Sequence, residues 1–253
     1  MWLASMHGGL FEMRSASGRC QGRGHKAQGV LCQDFVAHRI QGGRGAVVLA
    51  DGAGSARYAD LGAKMAVESV LKAMMLFDRQ ELFSISDTRL AETLVSTVMR
   101  TLQKHHRPQS LPMDYASTLL MVVAEQDQMI AAHVGDGVIA LKNNAGTKVI
   151  SHPERGEYAN TTYFMTHKDV LEHVRIYRGS WSSGDVAMLM SDGTAESLYE
   201  VRSKNMALAT DRLLDYCRDT EHGQLQKDLQ RELRNSVCSW TQDDCSWGFL
   251  INA

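Results

Sequence analysis

The alternation of apolar and polar residues divides much of this chain into strand-like segments. Such alternation is typical of β-strands with one buried face, and short continuous apolar runs are typical of strands buried on both faces. Strands are predicted at 11–17, 34–41, 46–50, 117–125, 129–143, 147–151, 161–167, 174–181, 186–193 and 247–253. Short polar breaks at 127–128 and 143–146 are typical of hairpin turns and indicate antiparallel pairing.

Helical periodicity is limited to a few longer segments. Helices are predicted at 59–77, 87–106, 204–219 and 223–237. In the first of them, apolar residues recur toward one side and charged residues toward another, so its methionines are interpreted as core residues. The second is expected to begin with Asp87 as its N-cap and to end before Pro108.

The order of these elements favours an α+β fold. Helices that are grouped in the chain, rather than alternating with strands, fit antiparallel sheets better than a doubly wound parallel sheet. Neither a linker-like stretch nor a repeat interrupts the sequence, which predicts a single domain over residues 1–253. Methionines at positions 1, 6 and 13 leave the natural start open, and residues 1–12 are predicted to be a disordered or non-native extension.

Composition excludes several classes of protein. The 253 residues are 44% hydrophobic and 22% charged, with a formal net charge of −2, which is ordinary for a globular protein. This charge gives no reason to expect nucleic acid or an anionic membrane as a partner. No apolar run approaches the roughly 20 residues that cross a bilayer, and the N-terminus lacks the pattern of a signal peptide.

The five cysteines are scattered along the chain and form no CxxC pair. They are Cys20, Cys32, Cys217, Cys238 and Cys245. An odd number without paired spacing argues against both a disulfide framework and a zinc site. A reduced, cytoplasmic protein is therefore expected.

One apolar run, "GAVVLADGAGSA" at 45–56, ends on Asp51 and continues into glycines. Three interpretations compete. Asp51 could begin a turn, cap the following helix, or bind a metal ion at a strand end where Gly52 and Gly54 allow backbone oxygens to approach. This segment considered alone favours a turn or a cap.

Other acidic residues repeat this placement at strand ends. Asp136 and Asp192 each follow an apolar run and precede a glycine, Asp243 and Asp244 precede the last strand, and Asp34 begins another strand. Oxygen ligands of this kind suit magnesium or manganese rather than zinc. Converging carboxylates repel one another, and divalent ions remove that cost. Two such ions can activate a water for attack on phosphorus.

The order and spacing of these segments resemble the metal-dependent protein phosphatase 2C family. The matching segments are QD at 33–34, DGAGS at 51–55, TLL at 118–120, VGDG at 134–137, SDGTAE at 191–196 and DDCS at 243–246. The resemblance covers the chain from about Cys32 to the last strand. It implies a four-layer α/β/β/α sandwich, with two central antiparallel sheets flanked by helices.

The resemblance also implies roles at a central metal pair. Asp51 would bridge two divalent ions, manganese or magnesium, and the backbone carbonyl of Gly52 would bind one of them. Asp192 and Asp243 would bind the other ion, with Asp34 nearby, directly or through water.

A third, weaker metal position is implied as well. Asp136 would serve it, and Glu196 occupies a position that is acidic in the family. The resemblance therefore implies two or three bound cations.

Several residues depart from the family pattern. Gln33 stands where many members have glutamate, and Ala53 stands where eukaryotic members have a histidine proposed as general acid. Gly137 and Val138 replace the usual Ser-Arg near the third position. These departures bear on activity more than on the fold.

The arginine that usually binds phosphate is also missing, and Gly29 stands near its place. His25 is the first candidate to replace it, followed by Lys26 and Arg23, although a loop histidine or lysine is often only solvated. Residues 152–166 lie where the family has a variable flap, and Tyr158 and Asn160 could line a substrate groove there or belong to a surface loop.

Two functions remain open from the sequence. The first is a bacterial signalling phosphatase that removes phosphate from phosphoserine or phosphothreonine in proteins, by attack of a metal-bridging hydroxide, alongside a cognate serine/threonine kinase. Asp51, Asp192, Asp243 and His25 are its predicted catalytic residues, and a monomer is expected. The second is an inactive pseudophosphatase that acts as a binding module. Retention of the three aspartates favours the enzyme.

Overall fold

The computed structural model describes residues 12–154 and 162–253. The predicted N-terminal extension lies outside this part apart from Glu12, whose carbonyl oxygen accepts a hydrogen bond from the Ala253 N–H at 3.0 Å. The prediction of one domain over 1–253 stays a prediction.

Two antiparallel sheets of five strands form the centre of the fold. The strands are β1 (Met13–Cys20), β2 (Asp34–Gln41), β3 (Arg44–Asp51), β4 (Leu119–Glu125), β5 (Gln128–Val134), β6 (Val138–Asn143), β7 (Gly146–Ser151), β8 (Arg175–Ser180), β9 (Val186–Met190), β10 (Tyr199–Glu200), β11 (Asn205–Met206) and β12 (Cys245–Asn252). The first sheet has the order β1-β12-β9-β6-β7 and the second β2-β3-β4-β5-β8, while β10 and β11 form a small separate hairpin.

Helices cover the outer faces of both sheets, except for the short α1, which has no buried residue. They are α1 (Arg23–Gln28), α2 (Ala59–Leu76), α3 (Arg79–Ser84), α4 (Asp87–His105), α5 (Asp192–Leu198), α6 (Leu208–Asp219) and α7 (His222–Glu232). A π-helical turn at Leu233–Val237 continues α7, and short 3-10 turns lie at Pro112–Tyr115 and Val170–His173. None of the helices within 12–154 and 162–253 has the length and apolar character needed to cross a bilayer.

Three apolar layers separate the four layers of secondary structure. Val48 of β3 packs with the core beneath α2 and α4, whereas Val47 points into the core between the sheets. This opposition follows from the two-residue period of a strand, and it explains why β3 is apolar without alternation. Trp247 of β12 belongs to the third core, with Leu214 of α6 and Leu229 of α7. The predicted α+β sandwich of two antiparallel sheets flanked by helices is confirmed.

The main error in the predicted elements concerns residues 161–167. Within the described part, 162–167 is a loop with turns, and the edge of β5 is paired with β8 instead. The loop is held through other contacts, among them a hydrogen bond from the Met165 N–H to the Ser117 carbonyl at 2.8 Å. The α4 cap is also displaced by one residue, because Ser86 accepts the capping bond from the Arg89 N–H and Asp87 is already helical.

Candidate metal centre

The predicted acidic residues come together where strands of both sheets end. Asp34 begins β2 and lies directly opposite Asp51, the last residue of β3. Asp192 follows β9 by two residues and begins α5, and Asp136 lies in the turn between β5 and β6. Asp243 lies two residues before β12. Residues far apart in sequence thus converge at one end of the sandwich.

Three of these carboxylates form a tight cluster. Oxygen atoms of Asp51, Asp136 and Asp192 lie within 4.8 Å of one another. They face a cavity of about 200 Å³, whose wall also includes Gly52, Asp243 and His25. Six of the eight predicted site residues therefore share one cavity.

The other two predicted residues lie outside the cavity wall. Asp34 is only 1% exposed and sits behind the cluster, and neither of its carboxylate oxygens has a hydrogen-bond partner in the described ranges. Glu196 is exposed on α5, one helical turn after Asp192. A buried carboxylate without partners is costly, so Asp34 fits a place next to a cation.

Burial and mutual repulsion disturb the pKa values of the cluster. Burial raises the pKa of Asp51 well above its usual range, and the charges of Asp34 and Asp192 raise it further. Burial likewise raises the pKa of Asp34 to about 8 and that of Asp192 to about 6. Among the described residues, no lysine or arginine forms an ion pair with these carboxylates. An all-oxygen cluster with uncompensated negative charge fits hard divalent cations.

These raised pKa values predict a pH-dependent stability of the metal-free protein. The folded state holds protons that the unfolded state releases. The contribution of Asp34 and Asp51 to the free energy of unfolding is therefore lost as pH rises from about 4 toward their raised folded-state pKa values. In a chelating buffer, we expect the melting temperature to fall between about pH 4 and about pH 8. Asp34→Asn should make this fall shallower. An equally steep fall in that variant would show that Asp34 does not contribute.

Glycines allow the close packing that places Asp51 and Asp192. A Cβ atom on Gly52 would lie 2.5 Å from the Ala59 carbonyl oxygen, and one on Gly193 would lie 2.2 Å from that of Asp244. Real Cβ atoms do not approach so closely, so each Asp-Gly pair permits a backbone contact that another residue would prevent.

The backbone of Asp51 is fixed by the next strand. Its N–H donates to the Thr118 hydroxyl at 2.9 Å, and its carbonyl oxygen accepts from the Thr118 N–H at 2.8 Å. Asp51 therefore neither caps α2 nor begins an isolated turn, because the residue before that helix is Tyr58.

Asp244 supports the site from behind, a role that the sequence did not suggest. Its buried carboxylate accepts hydrogen bonds from the N–H groups of Gly22 at 2.7 Å and Gln33 at 2.6 Å. It also pairs with Nδ1 of His25 at 2.9 Å. The second aspartate of the DD pair was visible in the sequence, but α1, which carries His25, was not predicted.

The structure separates the three candidates for phosphate binding. His25 lines the cavity, whereas Nε of Arg23 donates to the Thr241 carbonyl at 3.2 Å and Lys26 lies outside the wall. A Cβ on Gly22 would lie 2.3 Å from the backbone of Asp243, so the segment before α1 packs directly on the loop before β12.

Residues of the predicted flap reach the cavity next to Asp136. Thr162 donates its hydroxyl to a carboxylate oxygen of Asp136 at 2.6 Å, and Phe164 lies in the cavity wall. Neither was singled out in the sequence. Tyr158 and Asn160, which were, lie outside the described residues.

The departures from the family pattern lie close to the cluster. Gln33 and Ala53 are both in the cavity wall. Gly137 has a packing reason, because a Cβ there would lie 2.6 Å from the Met190 carbonyl oxygen. A serine at this position would force that contact to open.

A family model described as "Protein phosphatase 2C" matches residues 21–234. The chain belongs to the protein phosphatase 2C family. This match confirms the predicted family and the prediction that the protein is a phosphatase.

Relatives and solved structures agree with this assignment. The chain is 27% identical over 172 residues to serine/threonine-protein phosphatase 3 of Escherichia coli (strain K12), covering 66% of this chain and 68% of that protein. It is similar in fold to the S. agalactiae serine/threonine phosphatase, with a TM-score of 0.68, 14% identity and coverage of 96% and 100%. It also resembles the catalytic domain of the phosphatase PstP in complex with two manganese ions, with a TM-score of 0.64, 13% identity and coverage of 94% and 97%.

Proposed function

We propose that this chain hydrolyses phosphoserine and phosphothreonine in proteins with the help of divalent cations. The observation that carries the proposal is the cluster of Asp51, Asp136 and Asp192, whose oxygens lie within 4.8 Å of one another and form no ion pair with a lysine or arginine of the described part. Hard cations would balance these charges in a cavity open to a phosphate group.

The residues that would hold the central ions are those that the sequence suggested. Asp51, the Gly52 carbonyl, Asp192 and Asp243 line the cavity, and Asp34 lies behind them. Manganese or magnesium would supply Lewis acidity, lowering the pKa of water and balancing charge on the phosphoryl oxygens. The PstP structure that contains two manganese ions supports this choice of metal.

A third cation is also part of the proposal. Asp136 would hold this cation, and the Asp136 carboxylate also accepts a hydrogen bond from the Thr162 hydroxyl. Glu196 would contribute to this third position, although it is exposed on α5 and lies outside the cavity wall.

His25 would bind the substrate phosphate in place of the missing arginine. Asp244 engages Nδ1 of its ring, so Nε2 is the nitrogen that remains available for a phosphate oxygen. Ala53 offers no proton, so the leaving oxygen would take one from water in the cavity.

The alternative of an inactive binding module is less well supported. A chain that had lost catalysis would not be expected to keep Asp51, Asp192 and Asp243 around one cavity. A phosphoprotein substrate, a cognate kinase, a cytoplasmic location and a monomeric state are further parts of our proposal, and membership of the family supports the first of them.

The deciding experiment compares wild type with Asp192→Asn in manganese. The substrates are p-nitrophenyl phosphate and a phosphothreonine peptide, and Asp219→Asn, an exposed aspartate on α6, is the matched control. We expect chelation to abolish wild-type activity and Asp192→Asn to lower it by about 100-fold or more. Activity that survives chelation would rule out the metal mechanism, and equal inactivity of wild type and variant would favour the binding module.

A further inference from the structure

Two arginines beside the cavity flank the same aromatic ring. The guanidinium carbons of Arg57 and Arg107 lie 5.1 Å and 4.7 Å from the centroid of the Tyr58 ring. Both residues are exposed. We call Arg57 and Arg107 the arginine pair. Unlike Arg44 or Arg178, neither has a carboxylate partner among the described residues.

The arginine pair is positioned by its backbone surroundings. The Arg107 N–H donates to the Tyr115 hydroxyl at 2.8 Å, and the Tyr58 N–H donates to the Asp114 carbonyl at 2.7 Å. The rings of Tyr58 and Tyr115 lie 5.1 Å apart. Two segments distant in sequence are thus held together, and each presents one cation to solvent. Stacking on an aromatic face restricts a guanidinium and prepares it for a ligand.

A short segment of the chain connects the arginine pair to the cavity wall. Gly52, Ala53 and Gly54 line the cavity. A single turn follows, in which the Ala56 N–H donates to the Ala53 carbonyl at 2.8 Å, and the next residue is Arg57. The Ala53 N–H also donates to the Ala116 carbonyl at 2.9 Å, which joins this turn to the segment after Arg107.

Exposed apolar residues lie on the same segment. Leu111 is 67% exposed and Met113 is 54% exposed. Met113 also contacts Thr166, which belongs to the loop that reaches the cavity. The surface around the arginine pair therefore combines apolar side chains with two cations that have no carboxylate partner within 12–154 and 162–253, a composition that suits a peptide chain.

We propose that the arginine pair binds acidic side chains next to the phosphorylated residue of a protein substrate. This inference rests on the proposed function. A guanidinium matches the geometry of a carboxylate and binds it through paired hydrogen bonds. Two adjacent cations attract acidic side chains more strongly than a single one does. Basic residues at the same place in a substrate would be disfavoured by the pair.

The test is a comparison of substrates in Arg57→Gln/Arg107→Gln. One phosphothreonine peptide carries aspartates beside the phosphorylated residue, a second carries asparagines there, and p-nitrophenyl phosphate reports the chemistry alone. Arg202→Gln/Arg212→Gln, which removes two exposed charges elsewhere, is the control for net charge. Thermal melting checks that both variants are folded.

We expect wild type to prefer the aspartate peptide by about 10-fold or more in kcat/KM, through KM, with the preference decreasing as salt is added. The arginine double variant should lose this preference and keep its activity on p-nitrophenyl phosphate. A wild type without preference, or a double variant that retains it, would overturn the proposal.

The binding of the two peptides separates this inference from the proposed function. If wild type hydrolyses no phosphomonoester in manganese, fluorescence anisotropy still measures the affinity of each peptide for wild type and for the double variant. Tighter binding of the aspartate peptide that depends on the arginine pair would support the subsite although the phosphatase had failed. Equal affinities would overturn it.

Discussion

Asp51→Asn is expected to lower phosphatase activity by about 100-fold or more while the protein stays folded. Asp51 belongs to the carboxylate cluster, and as the proposed bridging ligand it would contribute charge to two ions at once. An amide cannot bridge two cations equally well, so the variant should weaken both. The measurement is kcat/KM on p-nitrophenyl phosphate across a manganese titration.

Thermal melting of the same variant distinguishes a ligand from a structural residue. Without metal, its melting temperature should equal or exceed that of wild type, because the substitution removes repulsion with Asp34 and Asp192. Manganese should then stabilise wild type far more than Asp51→Asn, by mass action. If manganese raised both melting temperatures equally and activity survived, Asp51 would be a structural residue only.

His25→Ala is expected to lower kcat/KM by about 10- to 100-fold, the range expected for losing a hydrogen bond to a charged group. Inhibition by inorganic phosphate should weaken in parallel, since the same ring nitrogen would bind both. His25→Arg should recover part of the activity. Lys26→Ala, one residue along α1 and outside the cavity wall, is the matched control.

Asp244→Asn tests the positioning of that ring. The buried Asp244 carboxylate pairs with His25 Nδ1 and accepts two backbone N–H groups, so the variant should weaken phosphate inhibition in the same direction as His25→Ala. For the His25 prediction, the contradicting outcome is a larger loss of kcat/KM in Lys26→Ala than in His25→Ala, which would assign phosphate binding to the lysine.

Much of the fold could be predicted because the strands show either apolar alternation or a continuous apolar run in their own sequence. The β3 run is apolar on both faces and β2 spans residues 34–41 as predicted. The segment predicted at 161–167 has a similar composition, but within the described residues 162–167 the Met165 N–H donates to the Ser117 carbonyl in a loop and not to a neighbouring strand. Local pattern does not indicate which partner a segment will find.

The candidate site was only partly visible in the sequence. Strand-end aspartates such as Asp51 and Asp192 could be found because a carboxylate followed by glycine stands out after an apolar run. The short helix α1 has no apolar face, and its position depends on contacts with the loop before β12. Asp243 and Asp244 are neighbours in sequence, yet one lines the cavity and the other supports His25. Only tertiary structure separates their roles.

The pairing of β1 with β12, and of His25 with Asp244, brings residues 13–25 together with residues 244–252. Translation proceeds from one end to the other, so a nascent chain holds neither Asp243 nor the partner of His25 until the segment around β12 has left the ribosome. The proposed activity would therefore begin only after synthesis of that strand, and a product interrupted or trimmed before it would be inactive.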